Sequence, residues 1–286
     1  MKALIIGVGL IGGSFALSLR EHGLCDEVLG CDSSAENAAE AVRRGLIDRA
    51  VEMDEGLATA DLVVLAAPVD KIPLLTTKIL NKVTDAQVVM DMGSTKSELC
   101  EMVSMHRRRG RLVATHPMWG TEYSGPQAAV EGAFKGRKVV LCDVEHSDRD
   151  AVELVEKIYT TIGMPIVYMS PEEHDLHTAY VSHISHITSF ALALTVLEKE
   201  RESQHIFDLA GGGFESTVRL AKSSASTWIP ILMQNKYNVL DVLREHIHQL
   251  QIMRVMIERD DVEGLRESMS RAVEHAPFLL LSVGGY

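Results

Sequence analysis

Gly7-Val8-Gly9-Leu10-Ile11-Gly12 follows the apolar run Ala3-Leu4-Ile5-Ile6 directly and opens onto a helical pattern. Strand, glycine-spaced turn and helix in that order make a dinucleotide-binding unit. Gly7 permits the tight turn, Gly9 lets a pyrophosphate approach the backbone, and Gly12 lets the helix pack closely on the strand. The helix start, with the free N–H groups around Leu10 and Ile11, presents partial positive charge to the phosphates. Asp32 ends the second candidate strand, 20 residues beyond Gly12, where a carboxylate accepts hydrogen bonds from ribose hydroxyls and repels a 2′-phosphate. The expected cofactor is NAD rather than NADP. Glycine turns also serve close packing alone, but strand, three glycines, helix and acid together favour the nucleotide. Ala67 and Pro68, in Ala66-Ala67-Pro68-Val69, are read as lining the cofactor, with a plain strand-to-helix turn the equal alternative.

Outward from this turn, short apolar runs at residues 3–6, 28–31, 62–66, 88–91, 112–115, 138–142 and 166–168 alternate with amphipathic stretches at 33–44, 69–82, 96–109 and 147–162. That rhythm predicts a Rossmann-type α/β domain, a doubly wound parallel sheet covered by helices on both faces. It stops at Tyr168. Ser170-Pro171-Glu172-Glu173 then combines a capping serine, proline at the first helical position and glutamate at the third. The remainder reads as helices at 171–200, 204–210, 214–222, 228–257 and 260–275, with a turn at Gly211-Gly212-Gly213. The expected domains are 1–168, binding NAD, and 169–286, an all-helical substrate-binding and dimerisation domain.

A chain of 286 residues, 46% hydrophobic and 24% charged, can bury a large core, and its net charge of -12 disfavours nucleic acid and anionic membranes as partners. The basic run His106 to Arg111 reads as a solvated helix end without function. Cys25, Cys31, Cys100 and Cys142 show no CxxC pairing and read as buried thiols in a reducing compartment. The N-terminal apolar run is too short for a signal peptide, and no stretch approaches the roughly 18 apolar residues of a membrane span. The expected location is the cytoplasm.

Two further strand ends carry polar clusters that a core does not require: Asp91 to Lys96, and His116 to Glu122. Both should emerge on the edge of the sheet that carries the glycine turn. A histidine there can accept a hydroxyl proton while hydride leaves the same carbon, and a serine from the neighbouring strand end can hold the ring or the hydroxyl in line.

On these motifs the chain resembles the prephenate dehydrogenase family of tyrosine biosynthesis, which includes arogenate and broader cyclohexadienyl dehydrogenases. The resemblance runs through GVGLIGGS (7–14), GSTK (93–96), HPMWGTEYSG (116–125), HTAYVSHISH (177–186) and GGGFESTVRLAKSSASTW (211–228), in the family's order. It implies that His116 is the catalytic base and Ser94 its hydrogen-bonding partner near the nicotinamide. It places Thr121, Glu122 and Gly212 at the substrate pocket, Glu122 as a gate, His183 and His186 facing the substrate, and Arg219 on a substrate carboxylate. The substrate is small, prephenate, with arogenate the runner-up, His186 favouring prephenate, and the assembly is a homodimer. Relatives carry an acidic residue where Ser216 stands, so the hydrogen bonding around Arg219 departs from the family's pattern.

Blander readings stand beside these. His174, His177, His183 and His186 form two HxxH pairs, but nine residues turn a helix to its opposite face, and no cysteine or carboxylate completes a set, so no metal is expected. His246 and His248 read as structural, and Arg219 without the resemblance is a surface arginine. The apolar stripe Ile229, Leu232, Met233, Val239, Leu240, Leu243, Ile247, Leu250 and Met253 exceeds what one core covers and points to dimerisation. Rival classes are a 3-hydroxyacid dehydrogenase or imine reductase, the former needing a helical lysine for which Lys222 is the nearest candidate. A non-enzymatic NAD sensor is a further rival, needing no His116, Ser94 and Arg219.

Overall fold

The computed structural model describes residues 1–274. The last residues of the expected second domain, 275–286, and the end of the expected helix 260–275 lie outside the described residues. Strands β1 (Lys2–Ile6), β2 (Glu27–Cys31), β3 (Arg49–Ala50), β4 (Leu62–Leu65), β5 (Val88–Asp91), β6 (Leu112–Pro117), β7 (Val139–Cys142) and β8 (Ile166–Met169) form one sheet in the order β3-β2-β1-β4-β5-β6-β7-β8. With it run α1 (Leu10–Glu21), α2 (Ala35–Arg43), α3 (Met53–Leu57), α4 (Ile72–Leu80), α5 (Ser97–Val103) and α6 (Arg149–Ile162). Side chains alternate across each strand. Ala3 and Ile5 pack in one apolar core with Phe15 and Ile158, Leu4 and Ile6 in a second with Leu80 and Val103.

Seven strands answer to the expected runs; β3 and α3, at two and five residues, are too short to leave a period. The sheet is also not wholly parallel, because β7 runs antiparallel to β6, Thr115 facing Leu141. A parallel return needs a crossover, usually a helix. Between β6 and β7 the chain makes only the short 3-10 turn Pro126–Ala128, so it comes back alongside.

After the sheet come α7 (Pro171–Thr178), α8 (Ile184–Glu202), α9 (Gly212–Val218), α10 (Ala225–Gln234), α11 (Lys236–Glu258) and α12 (Val262–Glu274). The capping box forms as expected: the Ser170 hydroxyl accepts from Glu173 N at 3.1 Å and Glu173 Oε2 from Ser170 N at 3.1 Å. Three expectations are corrected. The stretch 171–200 is not a plain α-helix, since Ala179–His183 is a π turn joining α7 to α8. Of the expected helix 204–210 only the 3-10 turn Phe207–Leu209 forms. The expected helix 228–257 is broken at Asn235, whose side chain is drawn off the helix into polar contacts.

The basic run is not a solvated helix end. Arg109 and Arg111 are buried: Arg109 pairs with Asp143 at 2.6 Å, and Arg111 with Asp150 at 2.8 Å while donating to Gln87 O at 2.9 Å. Cys100 and Cys142 are buried as expected, but Cys25 and Cys31 only half so. The helical run Pro171–Glu202 is, by length and a hydropathy of 1.3, apolar enough to cross a membrane, which the sequence reading did not foresee. Its first half nevertheless holds the buried polar side chains His174, Asp175, Thr178 and His183. The chain forms two compact units, Met1–Asn238 and the residues from Val239 onward.

Candidate active site

The glycine turn has the geometry its sequence requires. Gly7 lies at φ +93°, and a Cβ there would sit 2.5 Å from Ala66 O; one at Gly12 would sit 2.0 Å from Gly7 O. Both positions exclude side chains for packing reasons. Gly9 differs, since an added Cβ meets nothing within 4 Å among the described residues. Space is thus kept beside the start of α1, whose cap residue Gly9 supplies no side-chain oxygen to its free N–H groups. Leu10 and Ile11 form its first turn. Asp32 follows β2 and is held by Val8 N at 3.0 Å and Ser34 N at 2.9 Å, one to each carboxylate oxygen. Ala67 and Pro68 follow β4 on the same edge, Pro68 exposed and Ala67 half-buried. Open space at Gly9 beside an oriented carboxylate fits a dinucleotide.

The ends of β5 and β6 meet over a buried polar floor. Lys96 and Asp91 are fully buried and paired, and Asp91 also accepts from Thr115 N at 3.0 Å and Gly93 N at 2.8 Å. Ser94, half-buried, lies in this turn. From α7, Asp175 reaches across to the first turn of α5, which has no side-chain cap of its own, accepting from Lys96 N at 2.8 Å and Ser97 N at 2.9 Å. Burial pushes the Asp175 carboxyl up, but its hydrogen bonds to His174 and Ser97 outweigh that and hold it below the usual carboxylate range.

His116 ends β6 above this floor. Its Nδ1 lies 2.8 Å from Nε2 of His174, whose Nδ1 lies 2.8 Å from Asp175 Oδ1. Burial, then the charges of His174, Lys96 and His183, push the His116 imidazole well below its ordinary value. His174 is lowered too, by burial, against the opposing pull of Asp175. Neither His174 nor Asp175 is among the residues expected at the site; the HxxH spacing is the one signal in the sequence that points to His174. The π turn alters the helix geometry by adding a residue, which shifts the register by about 100°, and His174 and His183 are both buried, at 0% and 1% exposure.

His183 Nδ1 accepts from Asn235 Nδ2 at 3.2 Å, and burial lowers its pKa to about 4. His186 stacks on Trp228, centroids 3.4 Å apart, and donates from Nδ1 to Ser182 O at 3.1 Å; burial lowers it as well. Trp228 thus binds the two expected histidines together, meeting His183 edge-on at 5.9 Å. Arg219, expected on a substrate carboxylate, and Glu122, expected as a gate at the substrate pocket, pair at 3.2 Å, with Arg219 half exposed. Thr121, exposed, accepts from Tyr123 N at 3.3 Å, and Gly212 opens α9 at the surface. Ser216 takes no part around Arg219, its hydroxyl donating to Gly213 O at 3.0 Å.

The rival lysine, Lys222, is exposed and lies 3.8 Å from Glu215. One cluster of potential metal ligands occurs among the described residues, Asp143, Glu145 and His146, and Arg109 and His146 already occupy its Asp143 carboxylate.

Comparison with known proteins places this geometry. Residues 15–168 match the family model described as prephenate dehydrogenase, nucleotide-binding domain, and 170–271 the one described as prephenate dehydrogenase, dimerization domain. The chain is 32% identical to the prephenate dehydrogenase of Bacillus subtilis, over 99% of its own length and 77% of that protein's. It is 28% identical to the cyclohexadienyl dehydrogenase of Zymomonas mobilis, over 92% and 90%. Its fold superposes on Aquifex aeolicus prephenate dehydrogenase in complex with hydroxyphenyl propionate and NAD+ with a TM-score of 0.86 at 31% identity, covering 96% of this chain and 98% of that one.

Proposed function

The chain belongs to the prephenate dehydrogenase family of NAD-dependent oxidoreductases, and from that premise we propose that it converts prephenate to 4-hydroxyphenylpyruvate and carbon dioxide. The observation that carries the reading is His116, kept neutral by burial and bonded through Nδ1, which leaves Nε2 for a substrate hydroxyl at the edge where the glycine turn opens. NAD would be held at the phosphates by Gly9, Leu10 and Ile11, in a turn that Gly7 and Gly12 shape, and at the ribose by Asp32, with Ala67 and Pro68 alongside. When bound it supplies the hydride acceptor.

His116 Nε2 accepts the hydroxyl proton as hydride leaves the same carbon. The ring carbon bearing the carboxylate then releases carbon dioxide, its bonding pair completing an aromatic ring, and the phenolate oxygen takes the proton back from His116. Ser94 orients the ring hydroxyl beside the nicotinamide. Arg219 suits a substrate carboxylate, which would compete with Glu122 for the guanidinium, the gate expected of Glu122; Thr121 and Gly212 complete the proposed substrate pocket. His183 and His186, locked by Asn235 and Trp228, face the substrate.

The nucleotide domain spans 1–168 and the helical domain 169–286, a boundary supported by the family matches to 15–168 and 170–271 and by the capping box at Ser170. The match to a dimerization domain and the exposed Ile247, Leu250 and Ile257 of α11 support a homodimer, and the cytoplasm is the proposed location. Purified protein offered prephenate or arogenate, each with NAD and with NADP, tests the reading by the absorbance of the reduced cofactor. Turnover of prephenate with NAD is expected. Turnover of arogenate alone overturns the substrate, and turnover with NADP alone overturns the role of Asp32.

A further inference from the structure

We propose that His174 and Asp175 are positioning residues that hold His116 in one tautomer, proton on Nδ1 and lone pair on Nε2. The kinetic part rests on the function proposed above. A carboxylate only accepts, so the 2.8 Å contact between His174 Nδ1 and Asp175 Oδ1 requires that nitrogen to carry the proton. A neutral His174 then has its lone pair on Nε2, and the 2.8 Å contact there requires His116 Nδ1 to donate. The direction set at Asp175 passes through one ring into the next and leaves His116 Nε2 bare, as a general base needs.

The far end of this chain is fixed from several sides. Lys96 N and Ser97 N each donate to one Asp175 oxygen, and Asn235 Nδ2 donates to its backbone carbonyl at 2.6 Å. Thr178 Oγ1 donates to His174 O at 2.9 Å. His174 and Asp175 are 0% and 3% exposed, so water does not compete for these bonds. When His116 takes its second proton, the cation keeps its bond to His174, behind which stands the Asp175 anion. The other charged or titratable groups facing these residues are His183, the buried Cys142 thiol, which burial keeps protonated, and Lys96 and Asp91, the last two paired with each other.

Ring 15N chemical shifts of the full-length, NAD-loaded protein test this, His116 being identified by loss of its signals in His116→Ala. The wild type should show a protonated Nδ1 and a bare Nε2; the reverse overturns the proposal without recourse to any variant. His174→Leu removes the acceptor and should give a tautomer mixture, a kcat lower by about tenfold to a hundredfold and a displaced acid limb of the kcat profile. The KM for prephenate should move less than about twofold. His174→Gln, whose amide oxygen can accept from His116, should restore the tautomer and most of the rate. NAD binding serves as the check of fold. A folded His174→Leu that keeps the tautomer and the acid limb, or a folded His174→Gln that rescues neither, sinks the idea. Absence of prephenate turnover by the wild type would defeat the substrate reading alone, because the tautomer is read without substrate.

Discussion

Gly7 adopts a left-handed φ of +93°, and a methyl group there would meet the Ala66 carbonyl oxygen at 2.5 Å, backbone against backbone. Gly7→Ala should therefore lower stability by roughly 2 kcal/mol or more and weaken NAD binding, measured by thermal melts with and without NAD. The glycine turn and Asp32 were legible because their meaning lies in spacing along the chain. The partner of His116 was not, since His174 stands 58 residues away and only the fold joins them. That partnership bears on pH dependence. Burial and neighbouring positive charge favour the neutral ring of His116, below its ordinary 6.5, and the base works when neutral. Activity should accordingly stay level as pH falls through 6.5 and decline only below it; a kcat profile with its acid midpoint at or above 6.5 would contradict this.

At the scale of elements, the informative departures are the π turn and the break at Asn235. Ala-Tyr-Val-Ser-His contains neither glycine nor proline, so nothing in Ala179–His183 announces an irregular turn. It is stabilised by long-range partners: Asn235 on His183 and Trp228 on His183 and His186. Deleting the exposed Val181 restores an α register and rotates both histidines by about 100° relative to α7. Turnover of prephenate should fall at least about tenfold while NAD binding persists, as titration of each would read. The antiparallel β7 was within reach of the sequence, because residues 118–138 lack the helical period a parallel crossover needs.

For the whole molecule, the sequence's apolar stripe is exposed in the single chain at Ile247, Leu250 and Met253. Sedimentation should find a dimer, and Leu250→Glu, placing a charge in that stripe, should shift it toward monomer; a wild-type monomer at micromolar concentration would refute the reading of α11. The extent of that stripe was legible, its interruption at Asn235 was not. A mechanical consequence follows from Asp175 and Asn235. Thr95 donates to Gln234 at 2.6 Å and Asp175 accepts from Lys96 and Ser97, so the end of α10 and the body of α7 are both riveted to one turn of the sheet edge. The chain between, carrying α8 and α9, is a lever clamped at both feet. Its tip reaches back to the β6–β7 loop through the half-exposed Arg219–Glu122 pair. A swing of that lever would bend the π turn and part the half-exposed Arg219–Glu122 pair, a latch worth at most about 1 kcal/mol that salt loosens further, while the rivets at Lys96, Ser97 and Thr95 would hold its feet.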